Sequence, residues 1–233
     1  MDKPVCVVTG VGPGNGAAIA RRFAQDGHVL ALLARSTSYT ETLAAELDGA
    51  KAYACDVGNE AAVAATFARI AEELGPVETL VCNAGSGIWG DVEHISPADF
   101  ETTWRVNALG TLLTAQQVIP GMRQRGKGNI LVIGATASRR GGVRSAAFAP
   151  AKAAQRSLAE SMARSLWPAG IHVALVIIDG VVDLERTRQA MPDKPDSFFV
   201  QPDAVAATVY WLSRQDRSAW SFEVEARPSA EHW

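Results

Sequence analysis

The segment AAFAPAK, residues 146–152, sets Phe148 and Lys152 four positions apart. In a helix that spacing brings both side chains to one face. A phenol in the aromatic position would be acidified by the neighbouring ammonium; left unperturbed, with a pKa of about 10, it is a poor acid–base group at neutral pH. Phe148 has no proton to give, so this pair supplies no acid beyond the Lys152 ammonium. Candidate substitutes lie nearby in sequence. Thr136 adjoins Ala135, and Ser138 and Ser145 follow before the helix. Such hydroxyls also form turns and caps. Asp179 and His94 could serve as acid or base, or only fix a turn before Gly180 and sit at the surface. Arg139, Arg140 and Arg144 share one loop and could grip an anionic substrate through paired hydrogen bonds, or stand solvated. Trp89 and the Phe198–Phe199 pair could form an apolar wall or lid, or pack into the core.

A second constellation is TGVGPGNG, residues 9–16. Glycines between a strand and a helix let backbone N–H groups approach a pyrophosphate at the positive end of the helix dipole. At the end of the next apolar run the chain reads Ala34-Arg35-Ser36. NAD sites place an acid there for the ribose 2′-hydroxyl. Without that acid, and with a guanidinium able to hold a 2′-phosphate, NADP(H) is favoured over NAD(H).

These residues need elements to position them. Short apolar runs at 5–10, 29–34, 51–57, 77–85 (a strand and its exit loop), 129–135, 171–180 and near 220–225 read as strands. Between them lie helical stretches at 16–27, 38–47, 60–74, 97–124, 145–167 and 203–213. Ser38 with Glu41 forms a capping box, and Ser96, Pro97 and Asp99 a helix start. The alternation predicts an α/β fold with a doubly wound parallel sheet, a Rossmann fold, in a single domain over residues 1–233.

Of the 233 residues, 48% are apolar and 20% charged, with a net charge of −3. Nothing in that balance favours nucleic acid, and no apolar run nears the roughly 18 residues that span a bilayer. MDKPVCVVTG reads as the lead into the first strand rather than a signal peptide. Cys6, Cys55 and Cys82 lack metal or disulfide spacing and are expected as buried, reduced thiols of a cytoplasmic protein.

Over nearly its whole length the chain resembles the short-chain dehydrogenase/reductase family. Thr9-Gly10-x-x-x-Gly14-Asn15-Gly16 is similar to that family's cofactor turn. Asp56 with Val57 matches its adenine contact, Asn83-Ala84-Gly85 its loop after the fourth strand, and Asn107 the helix asparagine of its proton relay. The resemblance gives Lys152 the ribose-binding lysine, with Gly180 and Val182 on the cofactor's other side. It also aligns Ala135 with the family's serine and Phe148 with its tyrosine, thirteen residues apart as expected. Asp179-Gly180 replaces the usual Pro-Gly, and the string resembles a subgroup carrying these replacements together.

The resemblance implies catalytic roles for Asn107, Lys152 and Asp179. It implies a substrate wall of Ala135, Thr136, Phe148, Trp89 and Arg144, and a homodimer or homotetramer through the helices around 97–124 and 146–167. The expected activity is NADP(H)-dependent oxidoreduction of a small carbonyl or an activated double bond. A redox-neutral cyclase, lyase or isomerase using the nucleotide as scaffold, and a non-catalytic nucleotide sensor, stay open as alternatives.

Overall fold

The computed structural model describes residues 3–230; Met1 and Asp2, the start of the stretch read as leading into the first strand, lie outside them. Valine-, leucine- and isoleucine-rich runs form inner strands buried on both faces, as a covered parallel sheet requires, while the edge strand Lys51–Ala54, KAYA, buries only Tyr53 fully. These strands are β1 (Val5–Thr9), β2 (Val29–Ala34), β3 (Lys51–Ala54), β4 (Val77–Cys82), β5 (Gly128–Ala135) and β6 (Ile171–Ile178). The short β7 (Val181–Val182) and β8 (Phe199–Val200) pair with each other, and β9 (Glu223–Ala226) closes the main sheet. The main sheet is parallel throughout, in the order β3-β2-β1-β4-β5-β6-β9.

The helices are α1 (Asn15–Gln25), α2 (Ser38–Glu46), α3 (Glu60–Glu73), α4 (Pro97–Trp104), α5 (Gly110–Arg125), α6 (Phe148–Leu166), α7 (Glu185–Ala190) and α8 (Pro202–Ser213). They cover both faces of the sheet. Phe67, Ile70, Val118, Met122, Met162 and Leu166 from α3, α5 and α6 fill one core layer. Ile19, Phe23, Leu43, Val205, Val209 and Leu212 from α1, α2 and α8 fill the other. Among the described residues, no helix is long and apolar enough to cross a membrane.

Several boundaries differ from expectation, four of them for a local reason that the hydrogen bonds show. Ser38 is the first residue of α2 rather than its cap; Thr37 precedes the helix, whose first turn closes on the Thr37 carbonyl through Glu41 N–H at 2.7 Å and Thr40 Oγ1 at 3.0 Å. The third strand stops at Ala54, because Asp56 Oδ1 accepts Gly58 N–H at 2.9 Å and turns the chain. Helix 97–124 is divided by a π-helical turn, Arg105–Leu109. The helix expected from Ser145 starts at Phe148, since the Ser145 hydroxyl closes a turn on Gly142 and its backbone bridges to Gly90.

The order reverses between β1 and β4, and a crevice opens there beyond the carboxyl ends of the strands. The Thr9 hydroxyl clamps it, donating to Val81 O at 3.2 Å and accepting the N–H groups of Asn83 and Ala84, each at 3.1 Å. Gly10 follows with φ +67°, and a Cβ there would lie 2.4 Å from Ala84 Cα. Gly27, φ +82°, has nothing within 4 Å of such a Cβ. Gly27→Ala should therefore cost about 1 kcal/mol, the left-handed backbone penalty alone. Gly10→Ala should cost about 1–3 kcal/mol more, because backbone must move; chemical denaturation of both variants checks the difference.

Candidate active site

A cavity of about 1650 Å³ runs along the carboxyl ends of the strands. That exceeds the roughly 300–1,000 Å³ of a site for one drug-sized ligand, leaving room for a dinucleotide and a second molecule. Its nucleotide end is built by the glycine turn. Gly14, φ +119°, caps α1 without a side-chain acceptor, so the first N–H groups of the helix lie beside the cavity as an anion site. Asn15 Oδ1 is buried there with no partner. Asn83 holds the facing loop in place, its amide donating to Thr9 O at 3.1 Å and Gly10 O at 2.8 Å.

Arg35 and Ser36 line the cavity at the end of β2, exposed. Arg35 has no ion pair among the described residues, so no acid competes for its guanidinium. Asp56 is exposed on the same wall and Val57 is buried below it. Gly16, Ala84, Gly85, Gly180 and Val182 complete the lining expected of this end. The structure thus lines the cavity with every residue read as cofactor-binding except Thr9, which lies behind the wall and holds two of its loops, and Gly14, whose backbone starts α1.

At the other end Lys152 is 5% exposed. Its ammonium donates to Ile133 O and Gln155 Oε1, both at 2.9 Å. An ammonium has three donors, and the third is left for the cavity that Lys152 lines. Burial lowers its pKa from 10.5 to about 8. Gln155 Nε2 donates to Thr111 Oγ1 at 2.9 Å, and Thr111 Oγ1 to Asn107 O at 2.8 Å. Asn107 sits in the π-helical turn, with Nδ2 bonded to Ser86 O at 2.9 Å and Thr103 O at 2.8 Å, while its Oδ1 is buried and unpartnered. Gln155 and Thr111 were not anticipated; Gln155 stands three residues after Lys152, a spacing that places it on the same helical face.

Ala135 and Phe148 line the cavity and bring no hydroxyl. Two of the hydroxyls near Ala135 and Phe148 donate elsewhere, and a third lies off the cavity. Thr136 lines the cavity but donates to Asp179, and Ser145 donates to Gly142 O at 2.9 Å. Ser138, buried, accepts Ala135 N–H at 3.1 Å and does not line the cavity. The proton-donor role considered for Asp179 is corrected by its surroundings. Asp179 is 6% exposed and does not line the cavity. Burial raises its pKa, but hydrogen bonds from Thr136 and Arg227 outweigh burial and hold the carboxyl below the ordinary value. It is an ionised anchor at neutral pH, with no proton to donate. His94 is exposed, 2.6 Å from Asp91 Oδ1, and also outside the cavity. Phe198 and Phe199 pack on each other rather than forming a lid, and Phe199 is buried in β8. Trp89, 59% exposed, does line the cavity, its ring 5.0 Å from that of Phe148. Arg140 and Arg144 line it too, whereas Arg139 is held by Glu223 and Glu225.

The sequence is similar to the 3-oxoacyl-(acyl-carrier-protein) reductase MabA of Mycobacterium tuberculosis, 31% identical over 220 residues, which cover 91% of this chain and 86% of that protein. The fold is similar to an alcohol dehydrogenase from the archaeon Thermococcus sibiricus complexed with 5-hydroxy-NADP, with a TM-score of 0.88, 27% identity and 99% of both chains covered. It is also similar to a metagenomic short-chain oxidoreductase in complex with NADP, with a TM-score of 0.85, 28% identity and the same coverage. The short chain dehydrogenase family matches residues 4–194. With that span and the site built as above, the chain belongs to the short-chain dehydrogenase family.

Proposed function

We propose that this protein is an NADP(H)-dependent oxidoreductase acting on a small organic carbonyl or an activated double bond, with Lys152 as its proton donor. One observation carries the reading: a single cavity joins an acid-free β2 end, where Arg35 stands unpaired among the described residues, to the buried ammonium of Lys152. The NADP-bound relatives support the choice of nucleotide. The glycine turn and α1 would hold the diphosphate, Arg35 and Ser36 the 2′-phosphate, Asp56 and Val57 the adenine, and Lys152 the nicotinamide ribose. Bound NADPH would supply hydride, two electrons on one hydrogen, to the carbon that is reduced.

The other hydrogen must arrive as a proton on oxygen, or on the far carbon of an activated double bond. Losing a positioned acid typically costs about 10²- to 10⁴-fold, and Phe148 cannot be that acid. A buried ammonium with a pKa of about 8 is a stronger acid than an ordinary phenol near 10. Giving up its proton also relieves the cost of burying charge. Asn107 Oδ1 and Lys152 Nζ both lie on the same side of Gly85, 3.3 and 3.9 Å from where a side chain there would begin, so the two polar groups share one neighbourhood behind that loop. The acid or base expected for redox-neutral chemistry was Asp179 or His94, and neither lines the cavity. Phe100 and Trp104, each 41% exposed on α4, support the proposed homodimer or homotetramer, and three buried free thiols a reducing, cytoplasmic setting.

Steady loss of NADPH absorbance with a panel of carbonyl and conjugated substrates tests the activity; tight NADPH binding with no turnover on any of them would sink it. Arg35→Ala should weaken NADPH binding roughly tenfold, modest because the site is exposed, and leave NADH binding unchanged in a fluorescence titration. Lys152 has a pKa depressed to about 8, so its acid form is complete below that value and lost above it. The log of kcat/KM for reduction should accordingly fall with a slope near one as pH rises through about 8. Installing both missing hydroxyls, Ala135→Ser with Phe148→Tyr, should raise turnover of simple ketones by roughly 10²-fold or more, measured against the unmodified protein.

A further inference from the structure

Among the described residues, five cationic side chains line the cavity, Arg35, Arg140, Arg144, Lys152 and Arg186, against one carboxylate, Asp56. This is a local reversal in a chain of net charge −3. Three of the five lie where a phosphorylated nucleotide would use them. Arg35 ends β2, Lys152 faces the ribose position, and Arg186 follows Leu184, whose side chain lies against Gly14 of the diphosphate turn. Arg140 and Arg144 remain, in the loop between Ala135 and Phe148.

Their own carboxylate partners are already taken or missing. Arg140, 65% exposed along its side chain, comes only to 3.9 Å of Asp179, whose two oxygens are engaged by Thr136 and Arg227. Arg144 has no ion pair among the described residues. Its backbone carbonyl accepts Gly90 N–H at 3.0 Å, and Ala146 N–H returns to Gly90 O at 3.1 Å. That pairing fastens the arginine loop beside Trp89. The Trp89 and Phe148 rings meet at 5.0 Å with an interplanar angle of 47°, an open aromatic corner rather than a closed stack. With the Thr136 and Ser145 hydroxyls donating elsewhere, the guanidinium groups of Arg140 and Arg144 and the aromatic corner line this end together, beside Lys152.

We infer that the substrate is a planar, conjugated carboxylate, its anionic group paired with Arg140 and Arg144 and its flat portion packed on Trp89 and Phe148. A guanidinium matches a carboxylate through two parallel hydrogen bonds, and conjugation matches an apolar corner that lacks hydroxyls. The inference deepens the oxidoreductase reading above and rests on it.

Calorimetric titration of trans-cinnamate and the uncharged cinnamamide into the NADP⁺-saturated protein tests it without turnover. Cinnamate should bind at least about tenfold more tightly than the amide. Arg140→Gln with Arg144→Gln should erase that preference and leave the amide's affinity within about twofold, while Trp89→Ala should weaken both probes. Equal affinities, a preference that survives the double variant, or no binding of either probe would overturn the inference. A parallel NADP⁺ titration separates the two readings. If the nucleotide itself does not bind, the cofactor reading fails, while the preference measured on the nucleotide-free protein still decides the nature of the substrate.

Discussion

Taking an ammonium out of water costs several kcal/mol unless hydrogen bonds replace its hydration, and the neighbourhood of Lys152 is arranged around that demand. β5 offers the Ile133 carbonyl, and α6 offers Gln155 one turn further on. Gln155 must itself be satisfied, and its amide reaches Thr111 at the start of α5. Thr111 in turn caps the carbonyl of Asn107, in the π-helical turn where the regular ladder is interrupted. One buried charge thereby ties together β5, α6, α5 and the turn that aims Asn107, and π-turns of this kind recur at functional positions. The same burial that demands these partners lowers the pKa of Lys152 into the range where a lysine can exchange a proton near neutrality.

A second charge network on the outer edge of the sheet decides which arginines face the cavity. Glu223 and Glu225 on β9 engage Arg139, Arg156 and Arg227, and Arg227 also holds Asp179. These carboxylates and guanidinium groups neutralise one another at the end of β6 and β9. Arg140, next in the chain to Arg139, points to a different fate because Asp179 is already occupied. Neighbouring residues of the same type therefore do different things, one as a strut and one on a cavity wall. Nothing in the spacing of Arg139, Arg140 and Arg144 distinguishes them.

Most of the sheet and the nucleotide end were legible in the amino-acid order, because both depend on local rules. Continuous apolar runs alternating with amphipathic helices allow little besides a covered parallel sheet. The glycines of 9–16 follow a strand and precede a helix, which is the context that gives them meaning. Boundaries were less legible where a side chain closed the backbone on itself, as Asp56 does after β3 and Ser145 does before α6. The π-helical turn was not legible, since one Asn within Arg105–Leu109 and a glycine after it are also compatible with a continuous α-helix.

The sequence by itself determined the fold class, the register of Phe148 and Lys152 on one helical face, and the absence of hydroxyls at Ala135 and Phe148. Composition and short spacing suffice for these. Only the tertiary structure decided that Asp179 is an anchor rather than an acid, that His94 and Phe199 lie away from the cavity, and that Arg140 and Arg144 line it beside Trp89. The physical reason is that the fates of Asp179 and of the arginine loop turn on partners 43 to 56 positions away, Thr136 and Arg227 for Asp179 and Gly90 for the loop of Arg144. Which side chain a polar group meets, and so whether its proton or charge is free for a ligand, is settled by packing between distant elements and leaves no trace in local spacing.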